Sequence, residues 1–271
     1  MPLNQDLLPL RDYHKAKRLM WDPQALDFTQ DKMDWANMSE REQSLVRRAI
    51  ALFLGGEAAV TNDLSPLMVA LKREGGRLEE EMYLTTQLFE EAKHVEFFDR
   101  IIVEVLGEAP AALDIAGSNY RALFAELTTA LDALITDISP AAQANAVASY
   151  HMIIEGVLAE TGYYAIFQAL RAKNLMPGLT GGLELLQRDE SRHIAFGLHL
   201  LTRLMTADPS LWAVVEAQLN KLLPLAQGVF VELLGDYAPD IPFNLDLGDI
   251  LQFAGRQYFA RVGVLERARV A

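Results

Sequence analysis

Glu-x-x-His occurs twice in this chain, as Glu91 with His94 and as Glu190 with His193. Residues three apart on a helix share a face, so each pair offers one carboxylate and one imidazole to a single metal ion. Two further carboxylates keep step with them: Glu57 lies 34 residues before Glu91, and Glu155 lies 35 before Glu190. The halves read as copies of one helix hairpin, and together they offer four Glu and two His to a dinuclear metal centre. Any one of these side chains, taken alone, fits a solvated helix face as well. Their neighbours argue otherwise: Leu88 and Phe89 precede Glu91, Val95, Phe97 and Phe98 follow His94, and Ile153, Ile154, Val157 and Leu158 flank Glu155. Carboxylates on such faces are costly to bury unless paired or bound to metal.

The elements that must position these residues are helices. Ser39 with Glu42 forms a capping box and opens a helix to about Lys72, which Gly75 and Gly76 stop. A second runs from Leu78 to Leu106 and closes at Gly107, and a third spans about Ser118 to Ile135. Ser139-Pro140 starts a long fourth helix to about Lys173, an N-cap followed by proline at the first helical position. Asn174 and Pro177-Gly178 break it before another from about Thr180 to Thr206. Asp208-Pro209 opens one more to Leu234, and residues 235–248 form a loop before the last segment. Fifteen residues separate Glu57 from Lys72 and thirteen separate Leu78 from Glu91, so at about 1.5 Å per residue the first hairpin returns both carboxylates to one height. The second balances less well, with about 18 and about 10 residues in its arms. The stretch between His94 and Glu155 suits a long crossover. The fold expected is all-α, a ferritin-like four-helix bundle with additional helices, as a single domain over 1–271 with core helices near 39–72, 78–106, 140–173 and 180–206.

Composition narrows the function. The chain carries 24 Lys+Arg against 37 Asp+Glu, a net charge of −13, with 51% hydrophobic residues and no cysteine. Thiolate chemistry and iron–sulfur clusters are excluded. An acidic chain is a poor match to nucleic acid. Charged residues interrupt the apolar ones between Met1 and Trp21, unlike a signal peptide, and no run reaches the ~18 apolar residues of a membrane span. The expectation is a cytoplasmic protein.

Trp21-Asp22-Pro23 upstream of Glu57, and Asp189 directly before Glu190, resemble the ribonucleotide reductase small subunit. That resemblance implies that Asp189 orients His94 and that Trp21 bonds to Asp189. Two departures matter: Phe98 stands where most such subunits carry a radical tyrosine, and Glu266 to Ala271 does not resemble their docking tail. The stretch from Tyr150 through Glu155-Gly156 and Glu160 to Tyr163, and Asp189-Glu190-Ser191-Arg192-His193, instead resemble the small-subunit-like ligand-binding oxidases; the likeness covers about Trp21 to Met205.

That resemblance implies a manganese–iron centre, with manganese on Glu57, Glu91 and His94 and iron on Glu155, Glu190 and His193. It implies activation of dioxygen, two-electron oxidation of C–H bonds, a long-chain fatty acid or similar lipid bound across the metals, and a homodimer. It also implies an ether crosslink between Tyr150 and Val60. Val60 shares a helix face with Glu57, but five residues turn a regular helix by about 140°, so Tyr150 reaches Glu155's face only if its ring bends around or the helix bulges. The alternatives are a reductase small subunit with a manganese–iron cofactor and a ferritin-like metal store. Elsewhere, His151 reads as a donor to the site or a partly exposed helical residue. Glu160 reads as structural, and Tyr163, Tyr164 and Phe167 as core. His14 and His199 have no constellation around them, and Glu79-Glu80-Glu81 reads as a solvated first turn.

Overall fold

A computed structural model describes residues 2–75 and 77–269, and all of its regular elements are helical. Met1, Gly76, Val270 and Ala271 lie outside the described residues, and with them the stop assigned to Gly76 and the very end of the C-terminal segment. Two helices that the sequence reading did not anticipate come first, α1 (Leu8–Arg18) and α2 (Thr29–Asn37).

The capping box of Ser39 and Glu42 forms in full and opens α3 (Glu40–Asp63). The single helix expected to Lys72 is corrected. The chain restarts as α4 (Ser65–Glu74), because Pro66 has no N–H to continue the hydrogen-bond ladder. Gly75, at φ 77°, ends α4 in the left-handed conformation that glycine tolerates. Next, α5 (Leu78–Ile101) continues through a π turn, Ile102–Leu106, to Gly107. The crossover holds α6 (Ala112–Ile115) and α7 (Ser118–Ala133).

The long fourth helix is also corrected. After α8 (Pro140–Val147), the 12 residues Ala148–Ala159 are wound as π-helix, and only then does α9 (Glu160–Ala169) resume regular winding. In an i→i+5 winding, residues five apart share a face, so Tyr150 comes to the same side as Glu155 and the helix itself supplies the bulge. Pro177 begins α10 (Pro177–Ala207) rather than breaking a helix. The buried Asp31 carboxylate of α2 accepts from Gly178 N (2.8 Å) and Leu179 N (2.7 Å), capping α10 from a distant element. With α9 ending at Ala169 and α10 starting at Pro177, the second hairpin becomes nearly as balanced as the first. α11 (Trp212–Gly235) and α12 (Leu247–Arg269) complete the chain.

α3 packs on α5, and the π segment packs on α10, α11 and α12. One apolar cluster includes Val60, Tyr83, Tyr150 and Phe196; the other includes Trp21, Phe97, Phe98 and Tyr163. Among the described residues, no helix is long and apolar enough to cross a membrane.

Candidate metal centre

Glu57 from α3, Glu91 and His94 from α5, Glu155 from the π segment, and Glu190 and His193 from α10 are brought together, each 6% exposed or less. His94 Nδ1 lies 3.5 Å from Glu57, 3.6 Å from Glu91 and 3.4 Å from Glu190 oxygens. His193 Nδ1 lies 3.0 Å from Glu91, 3.3 Å from Glu155 and 3.5 Å from Glu190 oxygens. Two sets of ligand atoms can each surround an ion: Glu57, Glu91, His94 and Glu190, and Glu91, Glu155 and His193. Glu91 falls in both and Glu190 approaches both imidazoles, so the geometry shares carboxylates between two positions rather than dividing six ligands into threes.

Four buried atoms in this cluster have no hydrogen-bond partner among the described residues: Nδ1 of His94, Nδ1 of His193, Oε2 of Glu155 and Oε2 of Glu190. Leaving so many buried polar atoms unsatisfied in one place is costly, and cations resolve the cost. The charges agree. Burial pushes Glu57 up to about 8 and Glu155 well above the carboxylate range. Burial would raise Glu91 too, but His193 and His94 hold it well below. Burial would lower His94, yet the carboxylates of Asp189, Glu190, Glu57 and Glu91 more than offset it, and Tyr83, Glu91, Glu190 and Glu155 do the same for His193. Protons are held where metal cations would otherwise supply the positive charge.

The outer nitrogens are bound crosswise. His94 Nε2 is 3.4 Å from Asp189 Oδ2 on α10, while His193 Nε2 is 2.9 Å from Glu90 Oε2 on α5. Such contacts fix which imidazole nitrogen faces the metal. Asp189 Oδ2 also accepts from Trp21 Nε1 and Lys93 Nζ, both at 2.7 Å. Arg192 Nη2 donates to Asp189 Oδ1 (2.6 Å) and Glu90 Oε1 (2.5 Å). Burial would raise Asp189, but His94 and Lys93 hold it well below the usual carboxylate range. Glu90, Lys93 and Arg192 escaped the sequence reading although a signal was present. Glu90-Glu91-Ala92-Lys93-His94 and Asp189-Glu190-Ser191-Arg192-His193 share one pattern: acid, Glu, small residue, base, His.

A family model described as ribonucleotide reductase, small chain, matches residues 10–233. Solved structures of R2-like ligand-binding oxidases are similar over nearly the whole chain. One with an aerobically reconstituted Mn/Fe cofactor is 33% identical, covers 96% of this chain and 93% of its own, and has a TM-score of 0.90. A glycine-to-phenylalanine variant, also with aerobically reconstituted Mn/Fe, is 32% identical with 97% and 98% covered and a TM-score of 0.91. A valine-to-isoleucine variant is 33% identical with 96% and 95% covered at 0.90. The chain belongs to the ribonucleotide reductase small-chain family, beside the R2-like ligand-binding oxidases. Membership in this family implies a dinuclear metal oxidoreductase.

In this small-chain family member, Tyr150 sits beside the carboxylates. Its hydroxyl donates to Glu91 Oε1 at 2.6 Å. Gln87, one helical turn before Glu91 and also missed in the sequence, places Nε2 3.1 Å from Tyr150 Oη, 3.2 Å from Glu155 Oε1 and 3.3 Å from His151 Nε2. His151 is fully buried, which removes the partly exposed option, and burial drives it down to about 3, so it is neutral. Phe98 stacks on Phe53, as does Tyr163. Phe89, counted among the apolar neighbours of Glu91, is 55% exposed instead.

Two further readings are corrected. Glu80 is 1% exposed, not solvated, and its carboxylate meets Arg203 (3.2 Å) and His199 (3.3 Å), so His199 does have a constellation. Glu79 accepts from Asn4 N at 2.7 Å. The N-terminal segment and α10 both fold back onto this turn of α5, which no local pattern announces.

An apolar pocket adjoins the centre. Glu57, Glu91, Glu155, Glu190 and Val60 line it together with Leu45, Ile50, Phe53, Ile166 and Phe230.

Proposed function

We propose that the protein is a manganese–iron oxidase that uses dioxygen to oxidise C–H bonds, forms a Tyr150–Val60 ether crosslink, and binds a long-chain fatty acid in the pocket. The observation that carries this reading is that the apolar pocket is lined by four carboxylates of the cluster and by Val60. Two ions held side by side there would supply a redox couple able to activate dioxygen for two-electron oxidation.

The chain's own residues do the rest. Glu57, Glu91, Glu155, Glu190, His94 and His193 would hold the ions, Glu91 falling within both candidate ligand sets. Manganese on the Glu57 and His94 side, and iron on the Glu155 and His193 side, follow the family pattern. Asp189 and Glu90 would hold both imidazoles with Nδ1 toward the clustered carboxylates, where the ions would bind. Apolar walls exclude water and accept an alkyl chain, whose carboxylate would meet the ions. In crosslinking, the Tyr150 O–H and the Val60 Cβ–H bonds break and one O–C bond forms; two electrons and two protons pass to dioxygen. The phenolic proton has its first acceptor in Glu91 Oε1, 2.6 Å away. The same reading takes residues 1–271 as one ferritin-like domain that works as a homodimer in the cytoplasm.

The test loads metal-free protein anaerobically with Mn(II) and Fe(II), admits air, and analyses proteolytic fragments by mass spectrometry. A joined Val60–Tyr150 species lighter by two hydrogens is expected, and Tyr150→Phe abolishes it with both metals retained. Separate peptides overturn the crosslink, and uptake of many ions per chain would favour a metal store.

A further inference from the structure

Oxidisable side chains near the centre include Trp21, Tyr83, Tyr150 and Tyr163. A strong oxidant can draw electrons from any of them, yet the proposed crosslink consumes Tyr150 alone among them. We infer that the fold selects Tyr150, because Lys93 and Arg192 guard Trp21 against oxidation while Tyr83 and Tyr163 are denied a proton acceptor. This inference rests on the oxidase reading and adds to it how oxidation is confined to the pocket side.

Trp21 is the most exposed to the hazard. Its indole donates to Asp189, which lies against His94, and its ring is 6.4 Å from the His94 ring, roughly parallel to it. Loss of one electron to the centre would leave a radical cation on the indole. Lys93 Nζ sits 4.5 Å from that ring and is 4% exposed, so its charge is weakly screened and opposes a second positive charge there. The reduced indole attracts the ammonium through its ring electrons, and oxidation would abolish that attraction as well. Asp189 would otherwise stabilise an oxidised indole through the Nε1–H bond, but its charge is already matched. Lys93 donates to Oδ2 and Arg192 to Oδ1, while Arg192 also meets Glu90. Two acids and two bases, each 5% exposed or less, form a neutral quartet.

The tyrosines are sorted by a different device. A phenol gives up an electron readily only when its proton can leave at the same time. Tyr83 and Tyr163 are fully buried, and neither hydroxyl has a hydrogen-bond partner among the described residues. Tyr150 alone among the three has a carboxylate acceptor, Glu91 at 2.6 Å.

Lys93→Met and Lys93→Arg test the guard. In protein loaded with redox-inert Zn(II) and flashed with an external photo-oxidant, in a Trp35→Phe/Trp212→Phe background, Trp21 oxidation should rise on the order of tenfold in Lys93→Met and stay at the parent level in Lys93→Arg. Equal yields in all three overturn the inference, and this arm needs no oxygen chemistry. In Mn(II)/Fe(II)-loaded protein given air, Lys93→Met should divert oxidation to the Trp21 peptide and lower the Tyr150 crosslink. A Trp21 radical of equal yield in the parent overturns it. Loss of the crosslink in the parent with the Zn(II) difference intact would sink the oxidase reading instead. If Lys93→Met fails to fold, Arg192→Gln, which uncovers the same Asp189, carries the same expectation.

Discussion

Glu90 and His193 lie on different helices, yet Glu90 Oε2 on α5 is 2.9 Å from His193 Nε2 on α10. The reciprocal contact runs from Asp189 on α10 to His94 on α5 at 3.4 Å. Each Glu-x-x-His helix therefore holds the imidazole of the other, and the two hairpins are locked in register at the level of the buried carboxylate cluster.

Glu90→Gln should weaken metal binding through His193, because the imidazole loses the carboxylate that fixes its tautomer and raises its basicity. A loss of about 10–100-fold in affinity is expected for one of two ions. Competition titration against a chelator measures it, and two unchanged dissociation constants would refute the role.

Metal-free protein should lose stability as pH rises from about 5 to about 8. Across that window the unfolded chain has shed the Glu57 proton while the folded chain, with Glu57 pushed up to about 8, retains it. The folded state binds more protons, so stability falls with rising pH. His94 and His193, both raised well above their usual value, act in the same direction: their contribution is complete below the unfolded pKa and is lost as pH passes the folded one. Metal ions take the place of these protons, so the decline should vanish in loaded protein. Thermal melts with and without chelator across this range decide it.

Glu80→Ala should destabilise the fold by about 3 kcal/mol, since it leaves Arg203 and His199 facing a buried void where a carboxylate stood. Urea unfolding measures the loss. Metal stoichiometry should stay at two, because no ligand of the centre contacts this cluster.

Gly162→Ala should narrow the pocket. A Cβ at Gly162 would lie 2.4 Å from Phe53 Cζ, and Phe53 stacks on both Phe98 and Tyr163, so the ring has little room to retreat. Overpacking of this kind costs about 1–3 kcal/mol. Denaturant melts should show that loss, and lipid extracted from the purified variant should fall well below the parent; unchanged lipid content would remove this wall from the binding site.

The sequence by itself determined what depends on spacing along one helix. Periodicity gave all-α architecture, Ser39 and Glu42 gave the start of α3, and the i, i+3 pairs gave Glu91 with His94 and Glu190 with His193. It also held the repeated pentapeptide that contains Glu90, Lys93 and Arg192, though that repeat becomes meaningful only once the two helices face each other. Tertiary structure decided which partner each side chain meets. Glu91 falls in both candidate ligand sets, Gln87 reaches Tyr150 and Glu155, Glu80 is buried against α10, and Asp31 caps α10 from α2, because helix phase, tilt and distance bring them there. The π winding of Ala148–Ala159 is the clearest case: the residues favour a helix, and only packing against α10, α11 and α12 accompanies the wider turn that aligns Tyr150 with Glu155. Local spacing constrains a face, whereas contacts between faces are set by the whole bundle.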